Sequence, residues 1–217
     1  EQARQALDTT DKWILSRLNK TIEDVDRAYE GYKLNEAVKL IYTLVWKDFC
    51  DWYIEMSKTR FYGDDKDDRA VCLAVSKYVL GQIVKLMHPY TPYITEEIWS
   101  YIRPSDSSNM LIASEWPKPR YQEIDESLEN DFEVVTSMIT AIRNVRASLN
   151  VPPSKEADLF IRADKDMHKV IEAYRSYICS LARINQVVCK EDLEKPPRSS
   201  TAVVAGMEVF IPLKGLI

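Results

Sequence analysis

The chain has 217 residues, 46% of them hydrophobic and 29% charged, with 29 Lys and Arg against 34 Asp and Glu for a formal net charge of -5. This composition supports a buried core and excludes a disordered chain; the net negative field repels nucleic acid, so any nucleic-acid binding must come from a local basic face. No run reaches the roughly 18 consecutive apolar residues of a membrane span, and the opening EQARQALDTTDKW lacks a basic-then-apolar leader pattern, so a cytoplasmic protein with no membrane partner is expected.

In chain order, the first helix is predicted over residues 10–31, with Ile14, Leu18, Ile22, Val25 and Tyr29 on one face and Gly31 closing it. The second is predicted to start at Asn35 and stop at Gly63, carrying Val38, Ile41, Val45, Phe49, Trp52 and Met56. Its apolar surface exceeds one stripe, which calls for a central position with several neighbours. A third helix over 67–87 carries Val71, Val75, Tyr78, Val79, Ile83 and Leu86, and HPYTP ends it. A short fourth, ITEEIWSYI, opens near Pro92 or Thr95. Residues 103–121, with Pro104, Pro117 and Pro119, read as an irregular crossover pinned by Trp116. A fifth helix over 125–149 aligns Phe132, Val135, Ile139, Ile142, Val145 and Leu149.

After NVPPS the period changes. ADLFIRA reads as a strand, 165–182 as a helix, INQVVCK as a strand, and TAVVAGMEVFIPL as a hairpin turning at Gly206. The expectation is a mainly α protein: a helical domain over 1–150 followed by a small mixed α/β subdomain over 151–217. The stop at LKGLI is expected of a piece of a longer protein.

Little in the chain spells catalysis. The five glycines, Gly31, Gly63, Gly81, Gly206 and Gly215, are too far apart to cradle a phosphate. Cys50, Cys72, Cys179 and Cys189 form no C-x-x-C pair and read as reduced, buried thiols; with only His88 and His168 beside them, no metal site is expected. His88 adjoins a helix-ending proline and His168 lies on a surface helix, so neither is assigned a chemical role. Glu96 and Glu97 point about 100° apart on a helix and are better read as first-turn acids favoured by the helix dipole.

Basic residues are more informative in groups: Arg17 with Lys20, Lys58 with Arg60, and Arg143 with Arg146. Together they would form a phosphate-binding surface; singly they are ordinary solvated lysines and arginines.

The tail of the second helix, MSKT, resembles the KMSKS signature of class I aminoacyl-tRNA synthetases. Glu55 replaces the first lysine and Thr59 the last serine, and no HIGH motif occurs, so the match reads as coincidence and no catalytic residue is assigned. The wider wording DKWILSRLN, VWKDFCDWYIE, LMHPYTPYITEEIW, IRNVRASLNVPPS and IPLKGLI, in this order, resembles the C-terminal region of bacterial-type valyl-tRNA synthetases across almost the whole chain.

That resemblance implies a class Ia anticodon-binding bundle over about 10–149, then a small mixed unit leading to a coiled-coil arm. The family's catalytic domain, which uses ATP with magnesium and valine, its editing domain and its arm lie outside these residues, so no cofactor is expected here. The partner implied is the anticodon stem-loop of tRNA(Val), bound by a cytoplasmic monomer, with no DNA.

Along the second helix, Lys47, Asp51, Ile54 and Lys58 form a less aromatic stripe. By similarity to the family this stripe helps line the anticodon-loop site, with Ile54 against an unstacked base and Lys47 and Lys58 on phosphates. Most of Trp46, Phe49, Trp52, Tyr53 and Met56 should pack against neighbouring helices. Alternatives stay open: packing of the stripe on a catalytic domain, pairing of the IRNVR arginines with the acidic ESLENDFE portion of their own helix, the same module of an isoleucyl enzyme, and a helical scaffold for protein partners.

Overall fold

The computed structural model describes residues 7–103, 109–213 and 216. Pro104 of the expected crossover, and Lys214, Gly215 and Ile217 of the IPLKGLI wording, lie outside the described residues. The described residues pack as two compact units that meet inside one helix, between Glu129 and Asn130. Secondary structure changes from helical to mixed after residue 150, as the sequence pattern suggests, but the helix changes packing partners well before its own end.

In the first unit, α1 spans Thr9–Glu30. It opens on a reciprocal cap: Asp8 accepts the Thr10 amide at 3.2 Å, and the Asp8 amide donates to Asp11 at 3.1 Å. Ile14, Leu18, Ile22 and Val25 are completely buried on its inner face. The left-handed residue after it is Tyr32, not Gly31.

The second helix is not one α-helix. It comprises α2, Leu34–Thr43, an eleven-residue π-helical segment, Leu44–Ile54, and α3, Glu55–Phe61. Lys33, not Asn35, stands at its N-cap, with no side-chain cap bond. The i→i+5 bonding of a π-helix widens the turn beyond 3.6 residues, and burial along this stretch repeats about every fourth residue: Leu44, then Asp48 and Phe49, then Trp52 and Tyr53, then Met56 and Ser57. Trp52 and Tyr53 thus reach the core side by side.

Helix α4, Lys66–Met87, is capped by Asp65, which accepts the amides of Asp67 and Asp68. Contrary to the sequence expectation, its 22 residues are long and apolar enough to cross a membrane by length and composition. Packing accounts for much of that apolarity, because Cys72, Val75, Val79, Ile83, Val84 and Leu86 are buried. Helix α5, Pro92–Ile102, follows a proline-rich turn in which His88 Nδ1 lies 2.8 Å from Thr95 Oγ1.

The crossover after α5 is tied down by side chains. Glu96 and Glu97 are not first-turn acids, because α5 opens at Pro92 and its first turn holds no acid; the Glu96 carboxylate instead accepts the amides of Leu111 at 2.9 Å and Ile112 at 3.0 Å, and these bonds, the Leu111 one foremost, hold it below the usual carboxylate range. Trp116 does pin the segment, donating to Asp26 Oδ1 at 2.7 Å and resting on Tyr29.

Helix α6, Glu126–Ser148, carries the chain into the second unit. There a four-stranded sheet has the order β2-β1-β4-β3, with β1 Ala157–Arg162, β2 Ile184–Lys190, β3 Ser199–Val204 and β4 Met207–Pro212. Strands β1 and β2 are parallel, joined by α7, Lys165–Ala173, and α8, Arg175–Ala182; β4 is antiparallel to both β1 and β3. The single helix expected over 165–182 is therefore two, divided at Tyr174, whose ring stacks edge-on against Phe132. The β3-β4 hairpin turns at Ala205 and Gly206, both left-handed, with Gly206 at φ +78°. All four cysteines are free thiols, but only Cys72 and Cys189 are buried; Cys179 is half-buried and Cys50 exposed.

Candidate nucleic-acid interface

The π-helical winding decides which side chains face outward. Exposure along the second helix follows the same four-residue rhythm as burial: Tyr42 and Thr43, Trp46 and Lys47, Cys50 and Asp51, then Ile54 half-buried, then Lys58 and Thr59. The structure therefore brings Lys47, Asp51, Ile54 and Lys58 onto one outer stripe. Trp46 joins them at 55% exposure, with its ring 6.3 Å from that of Tyr42. This corrects the expectation for Trp46: a 3.6-residue repeat groups it with the core aromatics, and the wider turn rotates it out.

The two lysines of the stripe differ electrostatically. Lys58 is held by Glu55 at 2.5 Å, one turn back on the same helix. Lys47 makes no ion pair among the described residues.

Behind the stripe lies a buried ion cluster. Asp48, 3% exposed, accepts from Arg17 Nε at 2.9 Å. Arg17 also reaches Glu129 at 2.9 Å, Ser16 donates to the other oxygen of that carboxylate, and Lys20 lies 3.4 Å from Glu126 and 3.8 Å from Glu129. Burial disfavours the Arg17 charge, but Asp48 and Glu129 outweigh it and push its pKa up. For Asp48 burial prevails over Arg17 and the smaller pull of Lys47, and its carboxyl is pushed up as well. Arg17 and Lys20 thus spend their charge joining α1 to the π segment and the start of α6, and are not an outward phosphate-binding pair.

The remaining basic candidates separate similarly. Arg60, the sequence neighbour of Lys58, is tucked in: it pairs with buried Asp11 at 2.9 Å and with Asp68 at 2.7 Å. Arg143 is exposed and donates through Nε to the Leu181 carbonyl at 3.0 Å. Arg146 is 7% exposed, and its guanidinium donates to the carbonyls of Lys155, Pro152 and Arg183. Burial, with Arg183 adding to it, lowers the Arg146 pKa. Its role is to fix the loop after α6, neither facing outward to RNA nor pairing with the acidic start of its helix.

Sequence reasoning missed Asp48, Tyr42 and the outward position of Trp46. The signal for the outward turn of Trp46 was present as the recurrence of apolar residues at Leu44, Phe49, Trp52-Tyr53 and Met56, and nothing in the spacing of charges marks Asp48 as buried. The residues of MSKT do not fit a phosphate-handling loop, since they sit in α3 with Met56 and Ser57 buried. No step involving ATP is assigned to them.

Residues 11–161 match the family model described as the anticodon-binding domain of tRNA ligase. The chain belongs to that family. It is 38% identical over 208 residues to the valine-tRNA ligase of Bacillus subtilis (strain 168), 39% to that of Halalkalibacterium halodurans, and 38% to that of Geobacillus stearothermophilus. Each comparison covers 95% of this chain and 23% of the relative, so the chain spans about a quarter of the length of these relatives.

Proposed function

We propose that this chain is the anticodon-binding part of a valine-tRNA ligase. It holds tRNA(Val) by the anticodon stem-loop while a catalytic domain elsewhere in the longer protein attaches valine, using ATP with magnesium. The observation that carries this reading is the likeness to valine enzymes across nearly the whole chain, which also favours the valyl over the isoleucyl alternative. The helical part, about residues 1–150, does the holding, and residues 151–217 lead toward the rest of the protein. A cytoplasmic monomer with no DNA or membrane partner fits this role.

Within the bundle, the outer stripe of the second helix supports the RNA contact. Lys47 and Lys58 are exposed and suited to phosphates, Asp51 can accept from a base edge, and Ile54 offers an apolar surface to an unstacked base. Arg143 is exposed and would reach a stem only secondarily, while Arg17, Lys20 and Arg146 support the scaffold. A second reading, a scaffold for protein partners, draws on the exposure of Val38, Tyr42 and Trp46 beside this stripe.

The deciding experiment titrates the chain with tRNA(Val) and with the same tRNA carrying an altered anticodon, at several salt concentrations. Tighter binding of the natural anticodon is expected. Equal binding of both would remove anticodon readout from these residues, and retention of a protein partner with no RNA binding would favour the scaffold.

A further inference from the structure

Beside the proposed RNA stripe, a shallow groove of about 150 Å³ runs between the second helix and the end of α4. Tyr42 and Trp46 stand along one side; Met87, Tyr90 and Thr91 form the other, and Ile41 floors it. The walls are almost entirely carbon. Tyr42 and Trp46 are 62% and 55% exposed, and their rings, tilted by 47° at 6.3 Å, make an open aromatic angle rather than a closed stack.

An isolated exposed aromatic on a soluble helix needs no explanation. Two neighbouring ones lining a preformed slot are a different feature, because both rings stand against whatever enters it. The charges around the slot indicate what that is. Lys39 and Lys47, one on either side of Tyr42 and Trp46 along the helix, are both exposed, and neither is in an ion pair among the described residues. Of the nearest acids, Glu36 is already taken up by Lys33 at 3.2 Å, and Asp51 lies a turn beyond the slot. The slot is therefore apolar with positive flanks. A nucleotide has the matching form: a base with two π faces, attached to a negatively charged phosphate. An apolar protein helix would satisfy the slot but leave both lysines without a counter-charge.

We propose that the groove between Tyr42, Trp46 and Tyr90 seats an unstacked base of the bound RNA, with Trp46 as its stacking platform and Lys39 and Lys47 on the adjoining phosphates. This rests on the reading of the chain as an RNA-binding module and adds where a base inserts. It also moves the principal base contact two turns back along the helix from Ile54.

The test measures binding of the tRNA(Val) anticodon stem-loop, and of the same stem-loop with abasic loop positions, to the natural chain and to Trp46→Ala, Trp46→Phe and Lys47→Ala. Trp46→Ala should weaken binding of the intact loop by about tenfold or more while leaving the salt slope unchanged and the melting temperature within about 4 °C of the natural chain's. Trp46→Phe should restore most of the affinity, and the Trp46→Ala effect should vanish with the abasic loop. Lys47→Ala should lower both affinity and salt slope, the slope by about one.

If the natural chain binds the stem-loop and Trp46→Ala binds it equally well, the groove assignment is wrong while the RNA-binding reading stands. If the natural chain does not bind the stem-loop, both fail. Concentration-dependent self-association that Trp46→Ala abolishes, with RNA affinity unchanged, would give the groove to a second copy of the chain and overturn the proposal.

Discussion

The Tyr53 hydroxyl donates to Asp11 Oδ1 at 2.8 Å, and neither side chain has any solvent exposure. The other oxygen of Asp11 meets Arg60, which in turn grips Asp68 with two nitrogens. One buried carboxylate thereby joins the N-terminal turn of α1 to both the π segment and α3. Tyr53→Phe removes one bond from a carboxylate that keeps its arginine, and should cost about 1–3 kcal/mol in urea denaturation. Asp11→Ala takes a partner from Tyr53, from Arg60 and from the Asp8 amide at once and should cost more, about 2–5 kcal/mol, although Arg60 keeps Asp68. Equal costs for the two would show that Asp68 alone satisfies Arg60.

Trp46 and Phe49 are three residues apart but should behave oppositely. Trp46→Ala removes an exposed ring and should change stability by no more than about 0.5–1 kcal/mol. Phe49, 7% exposed and stacked at 5.9 Å on Tyr53, should cost about 3–5 kcal/mol when truncated to alanine. The comparison of melting curves tests the winding directly, because an α-helical repeat would not separate these two rings in this way.

Asp48 gives a pH signature. Burial raises its pKa in the folded chain, and Arg17 offsets only part of that rise. The folded state then holds the Asp48 proton more tightly than the unfolded state does. Its contribution to stability is greatest below the ordinary carboxylate pKa and is lost as pH rises through the raised folded value. The stability of the natural chain relative to Asp48→Asn should therefore fall as pH rises above the ordinary carboxylate pKa of about 4, as measured by urea midpoints. A difference that grows with pH would mean that Arg17 dominates.

The lysines of the outer stripe should not be equivalent in RNA binding. Lys47→Glu should lower affinity and reduce the salt slope by about one. Lys58 already shares its charge with Glu55, so Lys58→Glu should have the smaller effect. Arg146→Met should leave RNA affinity alone and lower stability by about 1–3 kcal/mol, since three carbonyls lose their donor. An Arg146 variant that lost RNA binding at full stability would return it to the interface.

Much of the fold was readable from spacing. The repeats at Ile14, Leu18, Ile22 and Val25 and at Phe132, Val135, Ile139 and Ile142 mark helices that lie within a residue or two of their expected ends, because α-helical amphipathicity has a fixed period. The hairpin at Gly206 was readable because its turn needs φ above zero. The interface was less so, for two physical reasons. The period of the second helix changes partway along, which moved Trp46 from the inside to the outside. Basic residues look alike in sequence whether their charge meets solvent or a carboxylate more than a hundred positions away, as Arg17 meets Glu129.

The π segment also has a consequence for how this chain tolerates change in length. It acts as an angular offset: α2 and α3 are keyed to each other through eleven residues that turn less per step than their neighbours do. Deleting one residue between Leu44 and Ile54 would let the backbone close into an ordinary α-helix without breaking it, and by local criteria would look harmless. Yet it would swing α3 around its axis, taking Arg60 off Asp11 and Met56 out of the core. Length along this helix is therefore more tightly constrained than the identity of most of its outward-facing residues, and a single-codon deletion there should be worse for folding than any of the surface substitutions proposed above.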